Sequence, residues 1–318
     1  MKCSKLYCLG DNVSKFGRSA LDRKMDKIAE MERSGKKSRI TNRTLRKIMA
    51  NKLSIFGFVT FFLIIVLCVA APALAPFGPE EMDLRNILKP PSAAHLLGTD
   101  QIGRDILSRI LYGGRISIGV SLAGTIGGTL IGVFFGVICG YKGGVFDTIV
   151  MKASEILLSF PQTILVLILV TITGQSVWNL IFIFIATGWS GIYRMTRTQM
   201  LSIREEEYVQ ALRAFGINDF VVAFKHMLPN AVGPIFVNMT LSTAMNILQE
   251  ASLSFLGLGV PLGTPTWGNI LNVAQDITIV KNNWWVWIPV GLVITLFVLS
   301  INFIGDGLRD ASDPNQIG

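Results

Sequence analysis

Side chains able to do acid–base, nucleophilic or metal chemistry are sparse in this sequence. His95 and His226 are the only histidines, and Cys3, Cys8, Cys68 and Cys139 include no Cys-x-x-Cys pair. A zinc or iron site built from side chains is therefore not expected. Two of the cysteines sit in a basic leader and two in apolar stretches, unlike a secreted disulfide framework. Gly35-Lys36-Lys37-Ser38 lacks the leading glycine and the spacing with which a phosphate loop cradles a nucleotide. No nucleophile elbow and no His-Glu-x-x-His helix occurs. The carboxylates Asp147, Glu155, Glu250, Asp306 and Asp310 stand at the ends of apolar runs. Glu155 and Glu250 read either as functional ionisable groups within a membrane or as solvated, paired end residues. No catalytic residue, cofactor or metal ion is expected, so the chain does not look like an enzyme by itself.

What must position any chemistry here is apolar. Of 318 residues 51% are hydrophobic and 16% charged, against roughly 25% charged in an ordinary soluble chain. The mean hydropathy is +0.52. Such a chain needs lipid as part of its solvent. Six apolar runs, at 53–75, 116–139, 156–172, 177–193, 231–248 and 284–304, each approach the ~20 residues with which a helix crosses the hydrocarbon core. The third and fourth are joined by Thr173-Gly174-Gln175-Ser176 and read as a tight helical hairpin. No alternating strand pattern of a barrel appears. The expected fold is an all-α integral membrane protein with six transmembrane helices. Pro161 and Pro289 are expected to bend the third and sixth spans. Ala71-Pro72-Ala73-Leu74-Ala75 resembles a signal-peptidase site, but a 23-residue apolar run behind a 52-residue leader suits a retained anchor.

The formal charge of +8 is unevenly placed: residues 1–52 hold 15 Lys/Arg against 5 Asp/Glu. This surplus stands directly before an apolar run, so its partner is the lipid bilayer and no nucleic acid is expected. With the N-terminus inside, cytoplasmic segments hold 23 Lys/Arg and the opposite loops 6. Both termini are therefore expected in the cytoplasm. Residues 1–35 read as a weakly structured basic tail. In 36–52, Ile40, Leu45, Ile48 and Met49 fall on one face among Arg39, Arg43, Arg46 and Lys47. That stretch reads as an interfacial amphipathic helix or as a solvated basic linker. Residues 53–318 form the six-helix domain, with an outer loop at 76–115 and a cytoplasmic loop at 203–230.

Within the second run, Gly124, Gly128, Gly132, Gly136 and Gly140 recur every fourth residue. On a helix they make one smooth face, suited to close helix packing or to sliding during transport. Which helix meets it, in this chain or in a partner, is open from the sequence.

The cytoplasmic loop carries the densest pattern. Glu205-Glu206-Glu207 opens an expected amphipathic helix over 203–215, Gly216 ends it, and Asn218 or Asp219 caps a second helix running towards Pro229. Two short helices at an angle make a rigid projection, fit for docking something soluble. The segment resembles the EAA motif of ABC-importer permeases, Glu-Ala-Ala, three residues, Gly, nine residues, Ile-x-Leu-Pro. Here the triplet is Gln210-Ala211-Leu212, followed by Arg213, then Gly216, with His226 in place of the isoleucine and then Leu228 and Pro229. Four further segments are similar to peptide/nickel-type permeases, specifically the C subunits of dipeptide and oligopeptide systems. They are 95–109, opening His95-Leu96-Leu97-Gly98-Thr99-Asp100; Ser159-Phe160-Pro161; 254–260 with Thr266-Trp267-Gly268-Asn269; and 302–310. The likeness runs from about residue 45 to the C-terminus.

That resemblance implies a type I ABC importer architecture in a prokaryotic cytoplasmic membrane. It implies pairing with a homologous B-type permease and two ATP-binding subunits, and peptides delivered by an extracytoplasmic binding protein. Residues 210–213, 216, 226, 228 and 229 would couple to the ATPase, with Ala211 expected in the packed seam between the two docking helices. Nickel or metallophore uptake is the alternative cargo. An ATP-independent carrier would leave the docking loop unexplained and would show inverted repeats, of which none is convincing. A scaffold or sensor needs fewer spans.

Overall fold

The computed structural model describes residues 51–312, which form helices and loops with one isolated antiparallel bridge, Thr99 to Asp105. The tail expected at 1–35 and nearly all of the interfacial helix expected at 36–52 lie outside the described residues. Lys52 opens the first described helix, α1 (Lys52–Val69), whose N-terminus is capped by the Asn51 side chain accepting from Leu53 and Ser54 N–H. It stops at Ala70, and Pro72 sits in the first turn of a separate short α2 (Ala71–Leu74).

α3 (Ile106–Lys142) begins well before residue 116. Asp105 caps it, accepting from Ser108 N–H at 2.8 Å. The last ten residues of the expected outer loop are thus helix, disguised in the sequence by Ser108, Arg109 and Arg115. Gly143 and Gly144, with φ of +65° and +80°, turn the chain into α4 (Gly144–Ser159). Phe160 is extended, as the residue before a proline prefers. Beyond Pro161, α5 (Gln162–Thr173) departs at 90°. The third run is therefore broken rather than bent. α6 (Val177–Arg204), capped by Ser176, continues well past residue 193.

α7 (Glu207–Ala214) and α8 (Asp219–Val221) follow, and a π-helical turn, Val222–Met227, leads from α8 without interruption into α9 (Leu228–Phe255). After α10 (Trp267–Leu271), a 3-10 turn and α11 (Ile277–Asn282), the last described helix is α12 (Trp284–Ser312). Pro289 leaves α12 continuous, because the hydrogen bond it forfeits lies near the helix start.

α1, α3, the α8–α9 rod and α12 are long and apolar enough to cross a membrane, and the α4–α5 pair makes a fifth if counted as one span. Six were expected. The sixth, α6, has the length but carries Thr187, Ser190, Arg194, Thr196 and Arg197.

α3 and α6 run parallel and touch along their length. Where the start of α3 meets α9, α10 and α12, Ile106, Ile247, Trp267 and Phe297 are fully buried together. Trp267 Nε1 donates to the Ile110 carbonyl at 3.0 Å, holding α10 on α3. α1 lies on α12, with Ser54 Oγ donating to the Phe303 carbonyl at 3.2 Å. Its other face exposes Phe56, Val59, Phe62 and Val66, the surface a bilayer would cover.

Candidate functional site

The projection at 203–230 starts from a continuous α6, so its first helix begins at Glu207 instead of residue 203. Glu205 caps the C-terminal end of α6 and Glu206 precedes α7; only Glu207 lies in the first turn of α7, where the helix dipole favours it. α7 ends in a Schellman motif: Ile217 N–H donates to the Leu212 carbonyl at 3.2 Å and Gly216 N–H to the Arg213 carbonyl at 2.9 Å. Gly216 has φ of +71°, the left-handed conformation this motif requires. Asn218 caps the second helix, accepting from Phe220 N–H at 2.9 Å.

Between the two arms lies an apolar seam of Val209, Val222, Ala223 and Met227, all buried, with Leu212 and Leu228 half-buried beside them. The seam continues onto Val137, Tyr141 and Met200 at the ends of α3 and α6. Tyr141 ties both arms to α3. Its hydroxyl donates to Asp219 at 2.7 Å and accepts from Arg213 Nε at 3.2 Å, while the Arg213 guanidinium lies 4.6 Å from the ring centre. Asn230 donates to the Tyr208 hydroxyl at 2.8 Å, closing the base.

Of the residues singled out in the sequence, Gln210, Ala211 and Arg213 are on the exposed side of α7, Gly216 is in the turn, and Pro229 is exposed in the first turn of α9. Ala211, expected in that seam, is exposed outside it; the seam positions are Val209 and Leu212, one turn apart. His226 is half-buried within the π turn. The outward edge is apolar, with Phe215 82% and Phe220 60% exposed.

The five glycines of α3 all face α6 of the same chain. A Cβ on Gly124 would stand 2.6 Å from Phe184 Cβ, on Gly132 2.6 Å from the Trp189 carbonyl oxygen, and on Gly136 2.7 Å from Thr196 Cβ. Gly128 meets the backbone of Gly188, and Gly140 meets Met200 Cβ at 2.6 Å. From 124 to 140 the facing residue advances in step from 184 to 200, which makes the two helices parallel. Arg197 of α6 also grips Asp147 of α4 in a two-pronged contact of 2.5 and 2.6 Å, joined by the Tyr193 hydroxyl.

Two carboxylates, Glu250 and Asp100, have a role that spacing alone did not reveal. Glu250 is wholly buried and accepts from Ser117 Oγ at 2.7 Å and Ser254 Oγ at 2.8 Å, so it is no solvated end residue. Glu155 is exposed and paired with Lys152 at 2.9 Å. Asp100 organises the turn before α3, accepting from Ile102 and Arg104 N–H, Arg104 Nε at 2.7 Å and Arg109 Nη1 at 2.5 Å. Burial pushes the Asp100 carboxyl up, but Arg104, these backbone donors and Arg109 together hold it below the ordinary value of 3.8. The visible signal was charge alternation, Asp100, Arg104, Asp105, Arg109, across a loop with two turn glycines.

Residues 132–317 match the family of binding-protein-dependent transport system inner membrane components, and residues 41–91 match the N-terminal transmembrane domain of oligopeptide transport permease C. The chain is 38% identical to a putative peptide permease of Brucella suis, over 86% of this chain and 90% of the relative. It is 38% identical to the dipeptide transport system permease protein DppC of Bacillus subtilis, over 85% and 84%. With the oligopeptide transport system permease protein OppC of the same organism it shares 37% identity, over 83% and 86%. The family model covers more than half of the chain, and these relatives align across most of it: the chain belongs to the family of inner-membrane permease components of binding-protein-dependent transport systems.

Proposed function

We propose that this chain forms one half of the translocation pathway of an ATP-driven importer of di- or oligopeptides, and that the 203–230 projection couples it to an ATPase. The observation that carries the coupling role is the projection itself. Two short helices share a buried seam, are pinned to α3 through Tyr141, and offer Phe215 and Phe220 outward. A rigid element with an apolar edge can pass a displacement to the helices it joins. Here the second arm runs straight through the π turn into α9.

The names of the relatives support a peptide cargo. Six spans are supported by the parallel α3 and α6, and cytoplasmic termini by the 23 Lys/Arg of the inner segments against 6 outside. Two parallel neighbours need a return crossing between them, and the α4–α5 pair is the only chain between Lys142 and Val177. Such a subunit hydrolyses no ATP itself. It pairs with a homologous B-type permease, two ATP-binding subunits and an extracytoplasmic binding protein, in a prokaryotic cytoplasmic membrane.

Proteoliposomes holding the complete complex should accumulate radiolabelled dialanine when the binding protein is outside and ATP inside. No uptake under those conditions would remove the peptide reading. An Arg213→Cys variant should resist an impermeant thiol reagent in intact cells while Lys281→Cys reacts; the reverse pattern would overturn the orientation.

A further inference from the structure

A cavity of about 260 Å³ lies among α3, α6, α9 and the α4–α5 break. It is at mid-length of the three long helices, touching Gly124 and Gly128, Thr187 and Ile192, Asn238 and Asn246. Along α9, Asn238, Ser242 and Asn246 follow one another every fourth residue, so each turn presents one uncharged polar side chain to the wall. Gln162 adds an amide from α5, while the Ser190 hydroxyl of α6 is buried and already donates to the Thr187 carbonyl at 3.1 Å. Polar groups halfway along membrane helices are costly in lipid and mark a pathway or a packed polar contact.

Two further observations favour a pathway. The chain breaks at Phe160-Pro161 against this cavity, and interrupted backbone at membrane depth persists where protein or a water-filled space satisfies it. Gly188 and Gly191 have open space where a Cβ would stand. Unlike the packed glycines of α3, they widen the cavity instead of admitting a neighbouring helix.

The wall's chemistry narrows its occupant. Among its lining residues none is Asp, Glu, Lys, Arg, His or Cys. Without imidazole, thiolate or carboxylate it is a poor seat for a nickel ion. Amides and hydroxyls instead exchange hydrogen bonds with peptide N–H and C=O groups whatever the side chains are. Asn246 Nδ2 is engaged with Thr125 Oγ1 at 2.9 Å, which leaves its carbonyl oxygen for an incoming N–H. The Gln162 amide makes no hydrogen bond with any described residue. Neutral, dispersed contacts of this kind let a solute enter and leave.

We infer that this cavity is the chain's share of the peptide path, a charge-free wall that holds a peptide by its main chain in transit. The inference rests on the importer reading above. It is tested in proteoliposomes of the complete complex with radiolabelled dialanine on the binding protein. Gly191→Phe and Gly188→Phe, which fill open space, should each lower uptake about tenfold or more while ATP hydrolysis stimulated by loaded binding protein stays within about twofold of the parent. Gly291→Phe, also at an open position but in α12 and off the wall, should keep both. Normal uptake in both wall variants would place the route elsewhere. Loss of assembly or of stimulated hydrolysis in both would make the cavity a packing interface and equally overturn the inference. Absent uptake in the parent complex would instead strike the importer reading itself.

Discussion

Ser117 Oγ on α3 donates to Glu250 Oε2 on α9 at 2.7 Å and, through the same oxygen, accepts the Trp267 N–H at 3.1 Å. One hydroxyl thus joins two long helices and the segment that follows the second. Glu250 accepts from Ser254 as well, and Ser254 packs directly under Gly259 and Gly268.

Removing that carboxyl strands buried hydroxyl donors. Each unsatisfied buried group costs about 1–3 kcal/mol. Glu250→Ala should therefore lower the melting temperature of the detergent-purified complex clearly, and Glu250→Gln, which keeps one acceptor oxygen, should lower it less. Equal melting of both variants and the parent would deny the carboxyl any part in joining α3 to α9.

Gly132 faces a backbone carbonyl of α6, which cannot swing aside as a side-chain tip could. Gly132→Leu forces the helices apart, at a cost of roughly 1–3 kcal/mol for an overpacked interior. Gly119, on the same helix, has nothing within 4 Å of an added Cβ, so Gly119→Leu should melt like the parent. Indistinguishable behaviour of the two variants would refute the packing account.

Gly216 is a different case, because its surroundings are open and only its φ of +71° objects to a side chain. A β-branched residue there costs about 1–2 kcal/mol, felt locally. Gly216→Val should insert and assemble in normal amount, yet ATP hydrolysis should respond weakly to loaded binding protein and uptake should fall with it. Full coupling in that variant would reduce the projection to a connector.

Acid should loosen the turn before α3. The Asp100 carboxyl is held below 3.8 in the folded protein. Its stabilisation is therefore complete above the unfolded value and is lost as pH falls through the lower folded one. The protection of the Ile102 and Arg104 amides, exchange rates being corrected for the intrinsic pH dependence, should fall only below 3.8. Asp100→Asn should lack this acid step; an identical profile in the variant would clear Asp100 of responsibility.

Helix content and the C-cap at Gly216 were legible because apolar runs and a glycine between charged and apolar periods are local signals. Helix ends were not. α3 begins at Ile106 because Asp105 caps it and its first turns are buried in protein, so Arg109 sits where hydropathy expects a loop. α6 runs past Tyr193 because Arg197 is neutralised by Asp147, fifty positions earlier. Glu250 looked like an end residue for the same reason: the serines that satisfy it come from α3 and from the next turn. Ala211 was misplaced because a three-residue motif does not say which side of an eight-residue helix is buried.

The parallel run of α3 and α6 also bears on how the chain is made. Helices that follow one another as a hairpin can pair as soon as the second emerges from the ribosome. The glycine face of α3 has no such neighbour: the residues that fill it, from Phe184 to Met200, are synthesised only after the whole α4–α5 return. Until then its bare backbone ridge must be sheltered by the insertion machinery or by lipid. A chain released after α5 would carry that ridge uncovered, a ready mark for a membrane protease that removes orphan fragments.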